Sequence, residues 1–122
     1  KDVAIWNINS FGEFYLQIEE KYKNDYTAAL QKFKTVRKNF IEMLRSLPGL
    51  RVIPSQANYI MAELVNGMSA KELTKVLLIK HNLLIKDLSG KIKLDNRQYI
   101  RLAVRNEQDN EKLICALREV LK

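Results

Sequence analysis

Residues 97–113 read RQYIRLAVRNEQDNEKL, a short apolar strand interrupted by one arginine and followed at once by a helix start. Side chains alternate across a strand, so in YIRLAV the positions Ile100, Leu102 and Val104 share one face, while Tyr99, Arg101, Ala103 and Arg105 share the other. The first set reads as the core face. Arg101 then points away from the core, either as a solvated charge or as a hand for an anionic ligand. The helix opens on Asn106, a good N-cap with Asp109 three residues on, and carries Leu113, Ile114, Leu117, Val120 and Leu121 along one side.

Upstream, the chain supplies partners for this strand. LLIKDLS (83–89) reads as a short strand in which Leu83 and Ile85 alternate with Leu84 and Lys86, placing Lys86 on the same open side as Arg101. A polar loop, GKIKLDNRQ, joins the two. LRVIPS (50–55) and NYIMAELV (58–65) are two further strands, separated by Pro54, Ser55 and Gln56. Asn66 and Gly67 turn the chain into SAKE (69–72), a capping box in which Ser69 accepts from an early helix N–H. That helix runs to about His81, with Leu73, Val76, Leu77 and Ile79 as its apolar positions.

From about Ser10 to Leu47, apolar residues recur at helical spacing: Phe14, Ile18, Tyr26, Ala29, Leu30, Phe33, Val36, Phe40, Met43, Leu44 and Leu47. This predicts one long helix, with a bend expected near Asn24 and Asp25. Pro48 and Gly49 end it, because proline cannot continue the hydrogen-bond ladder and glycine accepts positive φ. The order α, β, β, α, β, β, α predicts an α+β fold: a two-layer sandwich with a small, mostly antiparallel sheet packed by helices, preceded by a long helix of interdomain type. The 122 residues are read as a single domain, with a lead-in segment at 1–9, the long helix at 10–47 and the α+β unit at 50–122. The chain opens on Lys1 rather than Met, and we expect it to be a fragment of a larger chain.

Composition narrows the chemistry. At 47% hydrophobic and 29% charged, the chain is ordinary globular material. No run of about 18 apolar residues suggests a membrane span, and no signal peptide is legible, so a cytoplasmic protein without membrane partners is expected. The lone Cys115 makes no internal disulfide and reads as a half-buried helix thiol. His81 has no second His or Cys at ligand spacing, so no metal site is expected, and in the last turn of its helix it suits the helix dipole. The net charge of +7 admits nucleic acid as a partner. However, the basic residues from Lys21 to Arg51 are interleaved with Glu19, Glu20, Asp25 and Glu42, as on a solvated helix face. No RNA-binding signature appears.

Four blocks in order, IWNINSFGEF, PSQANYIM, LLIKDLS and YIRLAVRNEQDNEKLICAL, resemble the C-terminal small domain of pyridoxal-phosphate-dependent aminotransferases of fold type I. The group of histidinol-phosphate aminotransferase and threonine-phosphate decarboxylase is especially similar. The resemblance implies that Arg101 is the arginine that clamps the substrate α-carboxylate, where a forked guanidinium orients an amino acid against the cofactor. It places Lys86 where relatives that handle phosphorylated substrates carry an arginine; lysine keeps the charge and loses the fork. It sets Asn7 and Asn9 in a segment bordering the active site, although capping before the long helix suits them equally. Asn58 matches the family's strand asparagine and reads first as a structural hydrogen-bonder.

The same resemblance places the cofactor lysine, its acidic partner and the phosphate cup in a large domain absent from this sequence. The implied reading is a substrate-capping domain with no catalytic residue and no cofactor of its own, inactive alone. Its partners would be the large domain of the parent chain, an amino-acid substrate and, in the parent, a second copy of the protein. Two other readings stand beside it: a stand-alone basic α+β binding module, and a regulatory or dimerisation domain.

Overall fold

The computed structural model describes residues 8–92 and 97–122. Its elements are α1 (Ser10–Arg45), β1 (Leu50–Ile53), β2 (Tyr59–Leu64), α2 (Ala70–His81), β3 (Lys86–Asp87), β4 (Gln98–Ala103) and α3 (Glu107–Val120), in the order expected from the sequence. The chain divides into two compact units, Lys1–Lys34 and Thr35–Lys122, and the division falls within α1.

In the first unit, Asn9 caps the helix: its Oδ1 accepts from the Gly12 N–H at 2.9 Å and its carbonyl from the Glu13 N–H at 3.0 Å. This satisfies donors that the first helical turn cannot satisfy internally. α1 runs unbroken through Asn24 and Asp25. Phe14 and Tyr26, which have helical spacing, are exposed together with Phe11, Tyr15 and Leu16.

In the second unit, Val36, Phe40 and Leu44 are buried at four-residue intervals, forming a single stripe down the end of α1. The chain reverses at Gly49, whose φ of +74° is accessible to glycine; a Cβ there would also lie 2.9 Å from the Asn66 side chain. The sheet has the order β1-β2-β4-β3, and every neighbouring pair is antiparallel. Its inner face, with Leu50, Ile60, Ala62, Leu64, Ile100 and Leu102, joins Phe40, Leu44, Leu73, Leu77, Ile114 and Leu117 in one core. This is the two-layer α+β sandwich.

Several local expectations are corrected. β1 stops at Ile53, before Pro54, which has no N–H to donate to the ladder. The strand expected over residues 83–89 shrinks to Lys86–Asp87. Its first residue helps close α2 instead: the preceding Asn82 takes the left-handed conformation at φ 53° and the Leu83 N–H donates to the Leu77 carbonyl at 3.1 Å. Ile79 is 70% exposed, because two residues beyond buried Leu77 is about 200° around a helix. Cys115 is exposed rather than half-buried. His81 does lie in the last turn of α2, yet its Nε2 is buried and has no hydrogen-bond partner among the described residues. The Asn58 side chain makes no hydrogen bond among the described residues; its carbonyl accepts from the Val104 N–H at 2.9 Å.

Candidate functional site

The outer face of the sheet, opposite the core, carries the candidate site. In β4, Ile100 and Leu102 are fully buried while Arg101 and Ala103 are exposed, as alternation requires. The register places Arg101 between Met61 of β2 and Lys86 of β3, its two Cα partners. Directly paired residues project to the same side, so the register sets Arg101 opposite Lys86, on the side where the sequence reading put both. Like charges placed opposite one another repel, and among the described residues neither forms an ion pair. Asp87 alternates to the other side of β3, and its carboxylate accepts from the Ser89 N–H at 2.8 Å.

An open cleft of about 490 Å³ runs along this edge, lined by Lys86, Asp87 and Arg101 together with Thr74, Leu84, Ile85 and Ala103. Its two cations outnumber the one carboxylate, that of Asp87, and suit an anionic ligand with more than one charged group. A second cleft, of about 370 Å³, lies between Asn82–Ile85 and the start of α3. Three of its polar side chains, Arg105, Asp109 and Asn110, are already engaged. Arg105 pairs with Asp109 at 2.7 Å, and buried Asn110 accepts from the Arg105 N–H at 2.9 Å and donates to the Arg105 carbonyl at 3.0 Å. The Asn106 cap, accepting from the Asp109 N–H at 2.8 Å, completes a rigid corner that fixes where β4 ends.

The remaining site residues from the sequence stand elsewhere. Asn9 belongs to the first unit and acts there as a helix cap. Asn7 lies outside the described residues. The structure adds residues that the sequence reading passed over. The Arg101 guanidinium lies 5.1 Å from the centroid of the Tyr59 ring, which sits diagonally from it on β2. Farther along the same face, the buried carboxylate of Glu63 binds Arg51, with the Arg51 Nε at 2.6 Å, and Arg97 approaches it at 3.8 Å. Alternation marks Tyr59 and Glu63 as outward, but only the register tells which arginine each one meets.

The described residues do not fit an anchor for pyridoxal phosphate. An internal aldimine calls for a lysine held in a shielded pocket, and every described lysine is exposed. A buried acid is needed for the pyridine nitrogen, and Glu63 is committed to Arg51. No group of three His, Cys, Asp or Glu among the described residues could hold a metal ion, and no described helix is long and apolar enough to cross a membrane.

Comparison with known proteins identifies the family. The family model for aminotransferase class I and II matches residues 14–117. The chain is 30% identical over 120 residues to the CMP-5'-(3-aminopropyl)phosphonate synthase of Streptomyces rubellomurinus, covering 98% of this chain and 19% of that protein. Among solved structures, it superimposes on a decarboxylase from Sulfurospirillum multivorans with a TM-score of 0.86 and 28% identity, covering 96% of this chain and 33% of the other. It superimposes on the histidinol-phosphate aminotransferase from Clostridium acetobutylicum with a TM-score of 0.81 and 30% identity, covering 98% and 35%. The chain therefore spans about a third or less of the length of these relatives. With most of its length matched by the family model, the chain belongs to the class I and II aminotransferases, pyridoxal-phosphate-dependent enzymes of fold type I.

Proposed function

We propose that this chain is the substrate-capping domain of a pyridoxal-phosphate-dependent aminotransferase or related decarboxylase whose substrate is an amino acid bearing a second anionic group. Arg101 takes the α-carboxylate through its fork of N–H donors, and Lys86 contributes a compact positive charge toward the second group, for which a phosphoryl group fits best. The observation that carries this reading is the directly opposed Arg101 and Lys86, exposed on one face and without an ion pair among the described residues. Two opposed cations with no ion pair among the described residues suit an anionic ligand that bridges them. The phosphorus-containing groups in the names of the aminopropylphosphonate synthase and the histidinol-phosphate enzyme support the choice of second anion.

In this reading the chain's own residues bind and orient, and none is catalytic. The cofactor supplies the bond-breaking chemistry from a large domain of the same parent chain, so the chain alone is inactive. By the family resemblance Asn7 and Asn9 count among the substrate-binding residues of the full-length parent, residues 50–122 form the capping unit, and the parent works as a homodimer in the cytoplasm. The test is Arg101→Ala in the full-length parent. Cofactor absorbance should be unchanged, while kcat/KM for the amino acid falls about 10- to 150-fold, the worth of a charged hydrogen bond. Unaltered kinetics would remove Arg101 from the substrate site.

A further inference from the structure

The Arg101 guanidinium has one interaction partner among the described residues, and it is aromatic rather than acidic: the Tyr59 ring, 5.1 Å away. We infer that Tyr59 is a positioning residue for Arg101, holding the guanidinium plane against its ring so that the N–H fork faces an incoming carboxylate. This rests on the carboxylate-binding reading of Arg101 proposed above.

The chemistry of the pair favours such a role over a merely structural one. A cation above an aromatic face is attracted by the ring quadrupole, and that contact uses the flat side of the guanidinium. Its N–H donors lie in the plane and stay available to an anion. A carboxylate partner would also hold Arg101 in place, but it would occupy those donors and neutralise the charge needed for the ligand. A ring orders the arginine without doing either, so less side-chain freedom remains to be lost on binding.

Tyr59 is itself firmly set. It opens β2, and its carbonyl accepts from the Ser55 hydroxyl at 2.6 Å. The same Ser55 oxygen accepts from the Ala57 N–H at 3.1 Å, closing the turn ahead of the strand. From α1, the Arg37 guanidinium donates to the Gln56 carbonyl and to the Ala57 carbonyl at 3.2 Å, so a cation from the helical layer pins the connection that delivers the ring. Across the strand, the Val104 N–H bonds to the Asn58 carbonyl at 2.9 Å and fixes the β2–β4 register at the point where the diagonal pair meets. The ring remains 42% exposed, so it forms part of the surface a ligand reaches.

The experiment compares Tyr59→Ile and Tyr59→Phe, alone and combined with Arg101→Ala, in the full-length parent. Isoleucine keeps a good strand former and removes the ring; phenylalanine keeps the ring and removes the hydroxyl. Two readouts are taken: the Kd of succinate, a dicarboxylate without an amino group, by calorimetry, and the KM and kcat of the amino-acid reaction. The expected result for Tyr59→Ile is a Kd and a KM raised about 5-fold with kcat within about 2-fold, whereas Tyr59→Phe stays within about 2-fold of the parent in all three. In the Arg101→Ala background, Tyr59→Ile should add nothing, because its effect passes through the arginine.

Loss of the same size in Tyr59→Phe would assign the effect to the hydroxyl and overturn the inference. So would an undiminished Tyr59→Ile effect without Arg101, or no effect of Tyr59→Ile at all, while the function of Arg101 stood. If Arg101→Ala itself changed nothing, the carboxylate-binding reading would fall instead. Should the isoleucine variant fail to fold, Tyr59→Leu replaces it, and the comparison with phenylalanine decides in the same way.

Discussion

Arg51 and Arg101 occupy the same face of the same sheet and live under opposite electrostatic regimes. Arg51 sits directly across from Glu63, whose carboxylate is buried and also approached by Arg97. That end of the face is closed on itself, with the cations spent on joining β1, β2 and the residue that leads into β4. Arg101 sits directly across from Lys86, a like charge, with an aromatic ring as its only partner among the described residues. One end of the face is finished as folded and the other is left open to an anion. An arginine in a strand thus carries no role by itself; the residue opposite it assigns one.

The contrast can be broken from either end. The largest effect is expected at the closed end, where Glu63→Ala removes a buried acceptor of charged hydrogen bonds. It should destabilise the protein by about 1–3 kcal/mol, read as a lowered unfolding midpoint, with succinate affinity within about 2-fold of the parent. At the open end the pattern reverses. Arg101→Lys keeps the charge and loses the fork, so KM for the amino acid should rise about 10-fold with stability changed by less than about 0.5 kcal/mol. If Arg101→Lys instead lowered stability as much as Glu63→Ala, the two ends would not differ in kind.

Lys86→Gln should have a smaller effect, because an exposed point charge contributes less. A loss of about 3-fold is expected for a phosphorylated substrate, with little loss for its unphosphorylated counterpart, measured as the ratio of the two kcat/KM values. An equal loss for both substrates would place Lys86 at the carboxylate rather than at the second anion. Smallest is the response to salt. Raising ionic strength from about 0.05 to about 0.5 M should weaken succinate binding about 2-fold through screening of the exposed cations, while the change in midpoint caused by Glu63→Ala stays nearly constant. Titration calorimetry and denaturation at both salt concentrations check the pair.

A second contrast runs along α1. Val36, Phe40 and Leu44 have their apolar stripe buried, whereas Phe14 and Tyr26, which have the same spacing, are exposed within their own unit. Periodicity reports that a face is apolar. It does not report whether this chain contains what covers it.

The sequence by itself determined the element order, the start of α1, the end of α2, the cap at Asn106 and the side of the sheet on which Arg101 and Lys86 stand, while α1 stops at Arg45, two residues short of the expected Leu47. These depend on neighbours one to four residues away, through strand alternation, helical period and the local chemistry of Pro48, Gly49, Ser69 and Asn106. Local pattern misled at Ile79, where an apolar residue falls on the outer side of its helix. It also misled at Tyr99, which is buried although it alternates with the core face. Only the tertiary structure decided that Arg51 meets Glu63, that Arg101 meets Lys86 and Tyr59, and that Arg37 reaches the Gln56–Ala57 turn. Those meetings depend on strand register and layer packing, which join residues far apart in the chain. A slip of one position would have given each arginine a different partner and a different role.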